Sequence, residues 1–422
     1  MTSTEAHIDR CRQKAIHALK PSEAQLEHGL ELHRQSVVCD SFCFMPTIWT
    51  PELFARLNQR LADGAGVRDW AEEGTYLRFL SMTGNPQAAA DFVTALQASG
   101  VTGFVQTVGN EGPITVNLPN IAARAHVCRM FHKNMFQAGS ADEVRLAKIQ
   151  GRTAVFFSLN GPQGNMTDPV DARKWLEVSY HLGVRLTHLS YNRRNHIAGG
   201  CTESSDDGLS DYGRDYIQHM NEVGMIVDTP HSSRQTTLDA AQCSSKPIMA
   251  SHIGVKKLFN YDRCKTDEEL KAIAGTDGLI GIYNYPNMLG KNATLVTLLD
   301  HVDAAVKLIG PDHVSIGTDL AYCPGVWAPN DLELHPAAKK EQERASQARG
   351  WKPEHRQHRS PPEHIEGSLA WTNWPLFTVG LVMRGYKDRD IQKIIGENLL
   401  RVLDANRPAQ ASTMQRGSSQ SI

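Results

Sequence analysis

The feature that most constrains this chain is an alternation. Eight short apolar runs recur along it: 37–42 (VVCDSF), 100–108 (GVTGFVQTV), 153–159 (TAVFFSL), 184–191 (VRLTHLSY), 224–231 (GMIVDTPH), 247–252 (PIMASH), 278–285 (GLIGIYNY) and 314–320 (VSIGTDL). They are rich in Val, Ile and Phe and are punctuated by Gly, Pro, Asn or Asp, as buried parallel strands are. Helical patterns lie between them, at 171–183, 210–224, 267–275 and 296–310. Ser210 and Thr266 stand at N-cap places; Gly183, Gly224, Gly275 and Gly310 stand at helix stops. Eight strands, each followed by helix, predict an α/β fold, a (β/α)8 TIM barrel.

In such a barrel, chemistry collects at the C-terminal ends of the strands. That rule singles out Asn160, Tyr191, His231, His252, Tyr285 and Asp319. His231 and His252 are one strand–helix–strand step apart, so they face each other across adjacent strands. Neutral imidazole pairs of this kind are ready metal ligands. Asp319, in GTDL, offers a general base or a partner for a substrate amine; the alternative is a helix N-cap.

Composition narrows the function classes. The net charge is −2 with no Lys/Arg run, which argues against a nucleic-acid or anionic-membrane partner. Eight scattered Cys without a CxxC read as reduced thiols, not as a disulfide framework or a Cys-rich zinc site. No stretch approaches the roughly 20 apolar residues that span a bilayer. The first 20 residues are charged throughout and carry no secretory pattern. A cytoplasmic protein acting on a small molecule is the expectation. One barrel domain is expected over 1–403, with an N-terminal helical extension. A polar insertion at 326–366 either covers the mouth or stands as a surface insertion. The Ser/Gln/Pro-rich tail, 404–422, reads as disordered.

Longer motifs carry a resemblance. GLSDYGRDYIQHMNEVGMIVDTPHSS (208–233), KPIMASH (246–252), GVRLTHLSYN (183–192), VSIGTDL and NWPLFTVGLVMRGYKDRDIQKIIGENLLRVL (373–403) are similar to motifs of the renal or membrane dipeptidases. These are the zinc peptidases of family M19, in the amidohydrolase superfamily. The resemblance implies a metallo-dependent hydrolase-like barrel that cleaves dipeptides with a hydroxide bridging two zinc ions. In the family, a first-strand His-x-Asp, a bridging Glu and two later His hold the metals. His231 and His252 match the later pair. Arg263 matches the residue that binds the substrate carboxylate, and Tyr285 a pocket tyrosine. Asp319 matches the acidic residue that holds the amino end and handles protons. Tyr191 stands where a substrate-contacting His is usual. Homodimers are a habit of the family.

The departures matter as much. DSFCFMP (40–46) lies on the family's D-G-H-x-D-x-P, which puts Phe42 and Phe44 in the His and Asp places. Asn160 takes the place of the bridging Glu. Phe has no lone pair, and a neutral amide carbonyl is a poor zinc partner beside a carboxylate. The cofactor expected is therefore one zinc or none. One ion would sit on His231 and His252, with a third ligand from Asp319, Glu203, Cys43 or water. Without it, His231, His252, Tyr191 and Asp319 form an acid/base cluster around Arg263 and Tyr285. The leading expectation is a dipeptidase-like metallohydrolase acting on a dipeptide or acylated amino acid. Asp319 and Tyr191 are its catalytic groups; Arg263, Tyr285 and Asn160 bind substrate. The alternatives are a metal-independent lyase or isomerase and a non-catalytic binding homologue. Cys43 is a weaker candidate nucleophile. Phe42, Phe44 and Met45 read as packing, Trp371 and Trp374 as the closing helix, and HRQHR (355–359) as a solvated loop. His188 is expected to face the helices as a satisfied core histidine.

Overall fold

The computed structural model describes residues 2–46, 51–165, 167–320, 322, 336–351 and 367–408. Eight parallel strands form the continuous path of a ten-stranded sheet, from which the short Met135–Gln137 and Cys264–Lys265 branch: β1 Cys39–Cys43, β2 Gly103–Thr107, β3 Thr153–Leu159, β4 Val184–His188, β5 Ile226–Asp228, β6 Met249–Val255, β7 Leu279–Ile282 and β8 Val314–Ile316. Each pairs with the next in sequence. Past β8, the Asp319 N–H donates to Phe42 O and the Phe44 N–H to Leu320 O, both at 2.9 Å. The last strand's extension thereby meets the first, and the sheet closes as a barrel. Each of the eight expected runs overlaps one strand. β3 shows why they were legible: all seven of its residues are buried. A strand covered on both faces needs strands beside it and helices outside it. Phe42, Val105, Phe156, Leu186, Ile226, Met249 and Leu279, from seven different strands, share one buried cluster.

The expected helices appear at Pro169–His181, Asp211–Val223, Asp267–Gly275 and Leu295–Ile309. Ser210 accepts from the Gly213 N–H, and Thr266 forms a reciprocal capping box with Glu269. Gly224 ends its helix at φ 88°, a conformation that favours glycine. Gly275 is instead the last residue of its helix, and Thr276 caps it. Two capped helices, Ser3–Leu19 and Glu23–Gln35, form the N-terminal extension. The final helix, Asn398–Ala405, runs past the expected boundary at 403. Buried Asn406 donates to Pro247 O at 3.0 Å, so the start of the expected tail belongs to the fold. Residues 409–422, and the insertion apart from 336–351, lie outside the described residues, as does 355–359. Among the described residues no helix is long and apolar enough to cross a membrane.

Two local features position the mouth. Cys264–Lys265 forms a short strand beside the end of β6, which brings the preceding Arg263 against that strand. The barrel is also pinched: the Ser41 hydroxyl donates across it to Ser251 O at 2.9 Å. A Cβ on Gly281 or Gly317 would meet that carbonyl oxygen at 1.9 Å. Only glycine permits this approach. A bulge in β1 between Asp40 and Cys43 turns the strand at this level.

Asp40 holds the closing seam. Its buried carboxylate accepts from the Thr318 N–H (2.9 Å) and hydroxyl (2.6 Å) and from the Phe42 N–H (3.2 Å). It also accepts from the indoles of Trp371 (3.1 Å) and Trp374 (3.2 Å). Trp374 opens the helix Trp374–Met383, so the two tryptophans pack where the sequence placed them. Burial pushes the Asp40 carboxyl up to about 6, with the Thr318 and Trp374 donors opposing it. It is therefore a carboxylate at neutral pH. The folded value lies above the ordinary one, so its proton-linked contribution to stability is present below about pH 4 and is lost as pH rises through about 6. Asp40→Ala leaves five donors without their acceptor and should cost about 3 kcal/mol or more at neutral pH, read by urea unfolding. A loss under about 1 kcal/mol would show that the donors find other partners.

Candidate active site

His231 follows β5 by three residues, and His252 lies within β6; both are buried. Their Nε2 atoms are 3.2 Å apart, so the expected convergence holds. A hydrogen-bonded chain runs through them. Arg263 Nε–H donates to His231 Nδ1 at 3.0 Å, while Nη1 and Nη2 donate to Pro230 O (3.0 Å) and His252 O (3.3 Å). On the other side, His252 Nδ1 lies 2.9 Å from Ser251 Oγ, and Ser251 Oγ lies 2.6 Å from Asp228 Oδ2. The Ser251 N–H donates to Asp228 Oδ1 at 2.8 Å.

Asn192 Oδ1 also lies 2.7 Å from His231 Nδ1, which can serve only one of its two neighbours. A guanidinium only donates, and this one is fixed by two carbonyls; His231 Nδ1 therefore accepts. The His231 proton then sits on Nε2 and is donated to His252 Nε2. His252 Nδ1–H donates to the Ser251 hydroxyl, whose proton goes to Asp228. Every bond from Arg263 to Asp228 points the same way. Burial, and then the positive charge of Arg263, hold both imidazoles well below the usual histidine range. They are neutral at physiological pH.

Aromatic rings complete the wall. Phe42 stacks on His252 with centroids 4.0 Å apart, and Phe44 meets Phe42 edge-on at 5.9 Å. The packing role expected for both holds. Tyr191 stacks on His231 at 3.9 Å. Trp351 stands edge-on to His231 at 6.4 Å, just beyond the helix Pro336–Ala348. The neighbouring Arg349 O accepts from Asn192 Nδ2 at 3.0 Å. The described part of the insertion therefore folds onto the mouth.

His188 is the site residue that sequence reasoning missed. It does not face the helices; its ring lies 5.3 Å from His231, 5.5 Å from His252 and 5.6 Å from Phe42, with Nε2 3.2 Å from Asp228 Oδ2. Period-two alternation counted back from Tyr191 turns His188 toward the helices, but β4 ends at His188 and Tyr191 sits in the loop beyond. Leu186, two places earlier, belongs to the cluster inside the barrel, and that was the available signal.

The other candidates divide. Asp319 is half-buried, at φ 55°, and its carboxylate has no hydrogen-bond partner among the described residues. Burial pushes it up to about 7, against the pull of Arg263. Burial, then the charge of Asp319, raises the Tyr191 phenol, so that ring stays protonated. Tyr285 caps the short helix Pro286–Leu289 past β7 and stands half-buried on the rim. Asn160 turns toward the β2 side. Its carbonyl accepts from the Thr107 hydroxyl at 3.0 Å, and its amide donates to Asn110 Oδ1 at 3.1 Å.

These residues do not fit a paired-zinc centre. Phe42 and Phe44 offer no donor atom, and the Asn160 carbonyl is taken. Among the described residues no group of three His, Cys, Asp or Glu can hold an ion, so the expected third ligands do not assemble. Glu203 accepts from the Arg194 N–H at 3.0 Å instead. Cys43 is buried, and burial pushes its thiol well above the ordinary range, which makes it a poor nucleophile; nor does it belong, among the described residues, to a group that could hold an ion. His231 and His252 alone fall short of the three protein ligands of a catalytic zinc, and His188, whose Nε2 faces Asp228, does not complete such a group.

Known proteins share this architecture. The family model described as "Membrane dipeptidase (Peptidase family M19)" matches residues 31–333. The dipeptidase tcpJ of Claviceps purpurea is 26% identical over 282 residues, 66% of this chain and 56% of its own. A Schizosaccharomyces pombe protein, "Uncharacterized dipeptidase C3A11.10c", is 32% identical over 217 residues, 50% and 52% of the two chains. This chain thus spans about half the length of these curated relatives. An amidohydrolase from Pseudomonas aeruginosa matches over 90% of this chain and 98% of its own, with TM-score 0.66 and 24% identity. The "probable dipeptidase PvdM" of the same organism matches over 91% and 98%, with TM-score 0.64 and 18% identity. Both share the fold. The family model covers well over half of the chain, including β1 and both histidine segments. The chain belongs to the membrane dipeptidase family, peptidase family M19.

Proposed function

We propose that this protein hydrolyses the amide bond of a dipeptide or an N-acylated amino acid. The observation that carries the reading is Asp319: a half-buried carboxylate without a hydrogen-bond partner among the described residues, poised near neutrality close to a buried guanidinium. A group divided between acid and base at working pH suits proton transfer in both directions. Family membership and curated relatives named as dipeptidases support the substrate class.

The residues divide the work as follows. Arg263 commits three N–H groups to His231, Pro230 and His252, and a guanidinium has five, so two remain for a substrate carboxylate. Asp319 takes a proton from the attacking water. The Tyr191 O–H donates to the oxygen of the tetrahedral intermediate. Asp319 then returns the proton to the leaving amine. Trp351 and the Arg349 backbone cover the mouth and limit the entry of further water.

Asp319→Asn should lower kcat/KM by about 100-fold or more on any dipeptide the wild type cleaves. The wild-type kcat/KM should rise with pH through about 7 as the carboxylate forms, and the variant should lose that inflection. A bound substrate carboxylate offsets the Arg263 charge, so the kcat inflection should lie above the kcat/KM one. The folded Asp319 value exceeds the ordinary 3.8, so its stabilising contribution is present below about pH 4 and lost as pH rises through about 7. Asp319→Asn should therefore unfold at a higher temperature than wild type at about pH 8. A pH profile flat across about pH 5–9 would remove Asp319 from the chemistry.

The Arg263 role has a separate check. Amidating the C-terminus of a cleaved dipeptide should reduce kcat/KM by about 30-fold or more, the loss expected when a buried charge pair loses one partner. Equal rates on the acid and the amide contradict it. A broad panel of dipeptides and N-acyl amino acids left intact defeats the hydrolase reading altogether.

A further inference from the structure

We propose that His231 and His252 are not metal ligands in this protein but positioning residues, a hydrogen-bonded dyad that anchors the Arg263 guanidinium to buried Asp228. The inference rests on the reading of Arg263 as the carboxylate anchor, and it assigns the imidazole pair a task other than the one its family place implies.

Three observations converge. The first is donor loss: Phe42, stacked 4.0 Å from His252, and Phe44 put hydrocarbon where a metal pair needs lone pairs. The second is direction. One ion shared by the two Nε2 atoms needs both lone pairs free, which moves the His231 proton to Nδ1. Asn192 Oδ1, 2.7 Å away, could accept that proton, but Arg263 Nε–H, held in place by two carbonyls, would then face an N–H at 3.0 Å. It would also leave the His231–His252 contact at 3.2 Å with no proton in it. The relay tautomers satisfy every bond from Arg263 to Asp228 at once and leave Asn192 Oδ1 to the Cys201 thiol.

The third is charge. A dication at the imidazole pair would stand beside the Arg263 guanidinium. Buried Asp228, at the far end of the chain, accepts from both the N–H and the hydroxyl of Ser251 and faces His188 Nε2 at 3.2 Å. No bridging carboxylate offsets the added charge, because Asn160 stands in that place. Arg263 has no carboxylate partner among the described residues, so the cation is left for substrate.

The experiment uses the full-length protein from a zinc-replete culture. After gel filtration, elemental analysis should find about a tenth of a zinc per chain or less, and neither zinc nor EDTA should move the unfolding temperature. A stoichiometry approaching one, or stabilisation by zinc, overturns the proposal whether or not the protein hydrolyses dipeptides. Kinetics give the second arm. His231→Ala removes an acceptor from a charged donor, so KM should rise about 10- to 100-fold with kcat little changed. His231→Asn keeps an acceptor at the Nδ1 position and should restore much of the KM. Collapse of kcat in both variants with KM unchanged overturns the positioning role, since that is the signature of a lost catalytic group. If the alanine variant does not fold, the metal and zinc-stability measurements on wild type still decide. The panel of dipeptides tests the hydrolase reading by itself, so the two can fail separately.

Discussion

Closure of the barrel rests on one buried carboxylate. Asp40 gathers five donors from three stretches of chain: its own strand, Thr318 past β8, and the tryptophans at 371 and 374. An ion in that place is costly unless its oxygens are saturated, and here they are. What the seam fixes is the site. Two residues on, the Phe42 carbonyl holds the N–H of Asp319, and the Phe42 ring covers His252. The half-buried acid and the hydrocarbon wall are thus placed by one interaction. Damage to the seam would reach the chemistry without touching a substrate.

The polar side of the mouth is tightly specified. Ser251 makes two hydrogen bonds to Asp228 and offers its carbonyl to Ser41 across the pinch that Gly281 and Gly317 permit. His252 follows it directly, so its ring has little freedom. Such a network is worth its burial only when each member has a partner. Next to it, Lys265 is also buried, but Glu269 at 2.9 Å and the carbonyl of Ser232 hold it. That cation is structural and neutralised, unlike Arg263.

Much of this was legible in the chain. Strands buried on both faces read as continuous apolar runs, and eight of them leave few alternatives to a barrel. Strand-end rules then found His231, His252 and Asp319. The misreading of His188 has a simple physical origin: period-two alternation holds only while the strand lasts, and β4 ends three residues before Tyr191. Asn160 was placed at the right strand end, but its amide is held by Thr107 and Asn110, long-range partners that no local pattern announces. Nor does spacing reveal that Trp351, about 160 residues beyond Tyr191, returns to cover the same imidazole. Direction of hydrogen bonding is further still from sequence, since it depends on which atom Arg263 faces.

The exchange of ligands for phenyl rings also changes what the mouth can attract. In a paired-metal site, the ions hold oxygen-rich substrates and polarise them. Here the positive potential falls to one guanidinium, bonded to a neutral imidazole and two carbonyls, none of which cancels its charge. A buried cation outside any ion pair is destabilising by several kcal/mol, a cost that a bound substrate carboxylate would offset. Neutral His231 and His252 serve that end: a protonated ring beside Arg263 would add repulsion and lose the acceptor that orients Nε. The same depression of their basicity that removes them as acid catalysts keeps the guanidinium in place. In the proposed reaction, proton transfer is then left to Asp319, a titratable group that burial brings close to neutrality at the mouth.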